Sequence, residues 1–199
     1  KKIYQSAILL PFLMSMVILS YIVYALLSAE NGLVNNTILP LLHIDPIQWY
    51  QKPKYWPAIL IIANCWKGVG YGCLIYIASL IGIDPTYYEA ARLDGATKWQ
   101  EITKITLPCL VPTIITLLLL SIGRIFYSDF GLFYQVPMNS GVLFPTTNVI
   151  DTYVYRALIE QGNISMSSAA GVYQSLVGFV IVMLSNWIVR RVDKDRALF

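Results

Sequence analysis

Charge is what this 199-residue chain has least of: Asp, Glu, Lys and Arg together make up 13%, where soluble domains carry about 25%. Histidine occurs once, as His43, and cysteine three times, as Cys65, Cys73 and Cys109. His43 has no second histidine or cysteine close by, and the cysteines lack metal-ligand spacing. No metal site is therefore expected, and the cysteines read as small apolar side chains. There is no Gly-rich phosphate loop, metalloprotease helix or nucleophile elbow. The chain is accordingly expected to be no enzyme, with no catalytic residues and no cofactor of its own, so any energy must come from a partner. A basic patch and an aromatic RNA-binding signature are also missing, which leaves no nucleic-acid partner.

Apolar residues fill the space instead, at 57% of the chain with a mean hydropathy of +0.61. Residues 3–29 and 161–189 carry no charge over 27 and 29 positions. Each run exceeds the roughly 20 residues a helix needs to cross a hydrocarbon core of about 30 Å. Residues 55–83 are interrupted only by Lys67, and 105–123 are clean for 19 positions before Arg124. Four spans follow, the first kinked by Pro11 and ended by Glu30-Asn31-Gly32. Lipid leaves only helices or closed barrels as options, and runs this long are not barrel strands.

The richest stretch is 84–108, a charged pattern between two apolar spans. Asp84 followed by Pro85 suits a helix with an aspartate N-cap and proline in its first turn. Tyr88, Ala91 and Leu93 give that helix a small apolar side, and Gly95 ends or bends it. A second helix begins at Thr97, with Gln100 three residues on as in a capping box. Trp99, Ile102 and Ile105 share its side, and Pro108 marks its end. By physics alone this is either an ordinary loop between two spans or a docking element. If it faces the cytoplasm, the inside basic residues are Lys1, Lys2, Arg92, Lys98, Lys104, Arg190, Arg191, Lys194 and Arg196, against Lys52, Lys54 and Arg156 outside. Nine against three places both ends inside, with four crossings and outer loops at 30–54 and 131–162.

The order Glu89-Ala90-Ala91, Asp94-Gly95-Ala96 and Ile105-Thr106-Leu107-Pro108 resembles the Glu-Ala-Ala loop of the permease subunits of binding-protein-dependent ABC importers. The resemblance extends over 123–137, 149–155 and 167–171, where it is nearest to the carbohydrate branch that handles oligosaccharides and polysaccharides. It implies an all-α polytopic membrane helix bundle with cytoplasmic coupling helices, of the MetI-like type, forming a single domain over 1–199 with the coupling loop at 84–108. One or more further N-terminal helices are expected upstream. Glu89, Ala90, Ala91, Asp94, Gly95 and Ala96 become the coupling residues. The implied partners are a second permease subunit in a heterodimer, an ATPase dimer that binds ATP and Mg, an extracytoplasmic solute-binding protein, the carbohydrate and membrane lipid. The implied function is ATP-driven import by alternating access across the cytoplasmic membrane of a prokaryote. A permease for another solute, or a secondary transporter or channel, is the alternative.

Several polar positions carry two readings. Lys67 either snorkels outward or lines a polar path, and ionisable groups at such depth are functional candidates. Gly68, Gly70 and Gly72 beside it suit close packing on another helix. Trp49, Tyr50, Tyr55 and Trp56 form an interfacial belt or meet a docking protein. The block from Arg124 to Gln135 puts Arg124, Phe126, Tyr127, Asp129, Phe130, Phe133, Tyr134 and Gln135 together. Aromatic faces for sugar rings and polar groups for hydroxyls make it a candidate substrate path. In the competing reading Arg124 and Asp129 neutralise each other at a helix break. The tail 193–199 is a solvated stub or an ATPase contact.

Overall fold

The first apolar run, expected as one spanning helix, is two. In the computed structural model, which describes residues 2–192, α1 (Lys2–Leu13) and α2 (Met16–Leu27) meet at a bend of 99°. Pro11 stays inside α1, and the break comes at Ser15, whose backbone is extended at ψ 157° and whose hydroxyl accepts from the Ile18 amide at 3.2 Å as the N-cap of α2. The chain continues through a π turn, Val34–Ile38, into α3 (Leu39–Leu41), then α4 (Trp56–Ile81) and α5 (Pro85–Leu93). Next come α6 (Lys98–Glu101), a second π turn over Ile102–Thr106, and α7 (Leu107–Gly123). After these lie α8 (Phe130–Gln135), α9 (Phe144–Thr147), α10 (Ile150–Ile159) and α11 (Ile164–Val192). The described residues contain no strand.

Three stretches are unbroken, long and apolar enough to cross a membrane: Pro53–Ile81, Lys98–Ile122 and Ile164–Arg191. The bent pair of α1 and α2 brings the number to four if it counts as one crossing. Most side chains on these helices face outward, among them Ile62, Leu118 and Phe179. So much exposed apolar surface suits hydrocarbon and not water.

Contacts divide the chain into two units. The first, Lys1–Gly70 with Tyr127–Gln174, has its core at Leu19, Val23, Trp56, Leu60, Leu132, Val136 and Leu143. Trp56, expected in an interfacial belt, is instead fully buried, with its indole N–H donating to the Trp49 carbonyl at 2.8 Å. Emptying such a site by Trp56→Ala costs about 3–5 kcal/mol. Of the three glycines expected to pack closely, only Gly70 is confined: a Cβ there would meet the Ile8 carbonyl and lie 3.1 Å from the Leu9 Cα, whereas Gly68 and Gly72 face open space.

The second unit is Tyr71–Phe126 with Ser175–Phe199. Within it Pro108, expected to end a helix, does not. Proline lacks an amide and its ring crowds the carbonyl four residues back, here Lys104. The chain widens into the π turn Ile102–Thr106 and runs on as α7, so 98–122 is one span. Ser79 and Thr113 join α4 to α7 through a hydroxyl pair at 3.0 Å. The tail 193–199 lies outside the described residues.

Candidate functional site

The stretch 84–108, expected to carry coupling, forms as its local signals dictate. Asp84 caps α5, its carboxylate accepting from the Thr86 amide at 2.9 Å, and this bond holds the Asp84 carboxyl below its ordinary range. Gly95 takes φ +77°, a left-handed conformation that stops α5 without strain. Thr97 and Gln100 close a capping box at the start of α6. Glu89, Ala90 and Asp94 are exposed, while Ala91 and Ala96 are half-buried against a hollow of about 360 Å³ that also touches Gln100 and Lys104. Leu93, expected on the small apolar side of α5 with Tyr88 and Ala91, is 90% exposed. Trp99 is 72% exposed as well. Glu89 and Leu93, four apart on α5, thus share an exposed face, and Trp99 is exposed on α6.

Glu101 has no counterpart among the expected site residues, yet it is the buried carboxylate of this segment. Arg92 Nε reaches its Oε1 at 3.0 Å, and Lys98 Nζ reaches its Oε2 at 3.1 Å. The same contact with Glu101 raises the Arg92 pKa. The available sequence signal was a pair of opposite charges on two short helices flanking a glycine turn.

The expected substrate block is divided. Arg124 and Phe126 close one stretch of the second unit, and Tyr127, Asp129, Phe130 and Gln135 belong to the first. Asp129 caps α8, accepting from the Leu132 amide at 3.0 Å. In the first unit Phe130 stacks on Tyr134 with ring centres 4.9 Å apart, and Tyr155 of α10 stands against both at 4.8 and 5.0 Å. Burial, then the neighbouring Tyr155, pushes the Tyr134 phenol up and keeps it a hydrogen-bond donor. Beside this trio is a cleft of about 330 Å³ lined by Ser20, Tyr21, Tyr134, Gln135 and Asn139. Aromatic walls with a few polar groups suit a small polar ligand.

Three polar hubs shape the surroundings. Asp151 Oδ2 accepts from the Ser128 amide at 2.7 Å and from Gln174 Nε2 at 3.3 Å, fixing the approach to Asp129. Arg156 is buried, donating to Asn139 at 3.0 Å and to Asn148 and Thr152, with Phe144 under its guanidinium at 4.2 Å. It was expected only as one of the outer basic residues. Lys67 donates to the main-chain oxygens of Phe12 and Met14, at the break between α1 and α2. The described residues hold no group of His, Cys, Asp or Glu that would bind a metal ion.

The sequence and the fold are similar to those of known proteins. The chain is 32% identical over 200 residues to the polygalacturonan/rhamnogalacturonan transport system permease protein YteP of Bacillus subtilis, covering 98% of this chain and 60% of that protein. It is 31% identical to the lactose transport system permease protein LacF of Rhizobium radiobacter, covering 92% and 59%. A chain of the crystal structure of a bacterial alginate ABC transporter, in complex with an alginate pentasaccharide-bound periplasmic protein, superposes with a TM-score of 0.89 at 36% identity, covering 97% of this chain and 66% of that one. The chain thus spans about 60% of the length of the curated relatives it matches. Residues 3–194 match the family of binding-protein-dependent transport system inner membrane components, and the chain belongs to that family.

Proposed function

We propose that this chain is the membrane-spanning part of an ATP-driven importer that carries an oligosaccharide or polysaccharide fragment across the cytoplasmic membrane of a prokaryote. The observation that carries the reading is the coupling segment: a capped helix, a left-handed glycine turn and a second capped helix leading without a break into the apolar α7. Such a segment gives a partner outside the membrane a rigid handle on a span. The ATPase dimer is that partner and holds ATP and Mg, while this chain hydrolyses nothing. A second, different permease completes the pathway, and a solute-binding protein delivers the sugar from outside.

Closure of the ATPases moves the handle, and the spans alternate access around the sugar. The sugar class is supported by the relatives and by the cleft between Tyr21 and Tyr134, which offers aromatic faces next to amide and hydroxyl groups. The test is uptake by vesicles holding the assembled transporter, with a panel of labelled neutral and acidic oligosaccharides. ATP-dependent accumulation of at least one sugar is expected. Accumulation without ATP would return the chain to secondary transport, and transport of no sugar but of another solute would overturn the substrate class.

A further inference from the structure

Tyr88 and Arg92 lie four residues apart on α5, so they share a face one turn apart. Their partners, Thr106 and Glu101, are five apart. In regular α-helical spacing that pair would drift out of line, but the π turn Ile102–Thr106 takes up the extra residue, and Thr106 Oγ1 donates to the Glu101 main-chain oxygen at 3.3 Å. The result is two parallel ties within the second unit. Tyr88 and Thr106 hydroxyls meet at 2.9 Å, and Arg92 Nε meets Glu101 Oε1 at 3.0 Å. Lys98 holds both oxygens of Glu101 from the other side, at 3.2 and 3.1 Å.

The ties matter because the covalent link between α5 and α6 is slight. It is the short turn 94–97, with Gly95 at φ +77° and nothing within 4 Å of where its Cβ would be. Main-chain bonds from Gly95 to Arg92 and from Ala96 to Ala91 shape that turn, and swing of α5 against α6 is what they leave unrestrained. Two side-chain ties one helical turn apart remove the swing. Pro108 sets their register, since the π turn it imposes carries Thr106 round to Tyr88.

We propose that Arg92–Glu101 and Tyr88–Thr106 form a two-point tether that makes α5 and the foot of α7 move as one lever, with Glu101 as a positioning residue in transmission. The proposal rests on the reading of α5 as the element an ATPase grips.

It is tested on the full transporter in lipid vesicles, with Cys65, Cys73 and Cys109 replaced by serine and a nitroxide label on a cysteine at Thr86. Label mobility is read with and without the ATPase, alongside sugar taken up per ATP hydrolysed. Arg92→Glu and Glu101→Arg should each loosen the label and lower uptake per ATP about tenfold, the range of ordinary couplings between sites. The double swap should restore part of both, as expected of residues that act through each other, short of wild type because Lys98 and Glu89 then face like charges. Tyr88→Phe should loosen the label by a smaller amount. A label unmoved by Arg92→Glu overturns the tether, whatever transport does. A loosened label with unchanged uptake per ATP overturns the lever, and so does a double swap that regains assembly but not uptake. A wild-type label indifferent to the ATPase overturns the coupling reading beneath it.

Discussion

The ammonium of Lys67 donates to the main-chain oxygen of Phe12 at 2.9 Å across 55 positions of sequence, and donates to Met14 as well. A bend of 99° in an apolar helix exposes carbonyls that lipid cannot satisfy, and one cation on α4 answers two of them. Lys67→Met should therefore loosen the break, at a cost of about 1–3 kcal/mol for acceptors left unpaired. Lys67→Arg should recover part of it. Thermal unfolding in detergent measures the loss. Unchanged unfolding combined with altered sugar uptake would move Lys67 from the break to the substrate path.

Asn35 organises the loop after α2. It is 2% exposed, donates to the Ser28 and Ile47 carbonyls at 3.2 and 2.9 Å, and accepts from the Ile47 amide and the Trp49 indole. Asn35→Leu keeps the volume and removes every bond, leaving buried donors and acceptors unpaired at about 1–3 kcal/mol apiece. Trp49 should lose its fixed surroundings. A red-shifted tryptophan emission and a lower unfolding temperature are expected, and an unchanged spectrum would place the loop's order elsewhere.

The aromatic trio has a different signature. Tyr134→Ala removes one wall of the cleft beside Tyr21 and Gln135, and Phe130→Ala removes the ring stacked on that wall. If sugars stack there, the half-saturating concentration should rise roughly 3- to 10-fold, equivalent to about 0.7–1.4 kcal/mol, while basal ATPase activity holds. Wild-type uptake kinetics for every sugar tested would return these rings to packing.

Orientation is open to direct labelling. Single cysteines at Lys52 and Asn139 should react with a membrane-impermeant thiol reagent added outside, and one at Lys98 should stay protected until the membrane is opened. The reverse pattern would invert the topology and remove the coupling segment from the cytoplasm.

Local signals were legible and long-range ones were not. Asp84, Pro85, Gly95, Thr97 and Gln100 act within a few residues of themselves, so their caps and turn were readable from sequence and stand in the structure. Ser15 carries an equally local cap signal, but it lies inside an uninterrupted apolar run, where hydropathy alone indicates one helix. The partner that satisfies the break, Lys67, is remote. Pro108 looked like a stop because its missing amide is a local fact, whereas the helix absorbs it by widening into the π turn Ile102–Thr106. Trp56 reads as an interfacial aromatic by position, and only its contacts with Leu19, Leu132 and Val136 make it core. Glu101 went unmarked because its value lies in Arg92 nine residues away across a turn.

The claim that α5 transmits ATP hydrolysis to the spans is tested most directly by sugar-stimulated ATPase activity of the assembled transporter carrying Glu89→Lys or Gly95→Val. Glu89 is exposed on α5, and its reversal changes the charge of that surface without touching the core. Gly95 has open space around it, so valine clashes with nothing and acts only through φ +77°, which a β-branched residue resists. Both variants should insert into the membrane normally and lose the stimulation by sugar and binding protein. Full stimulation in both would contradict the account.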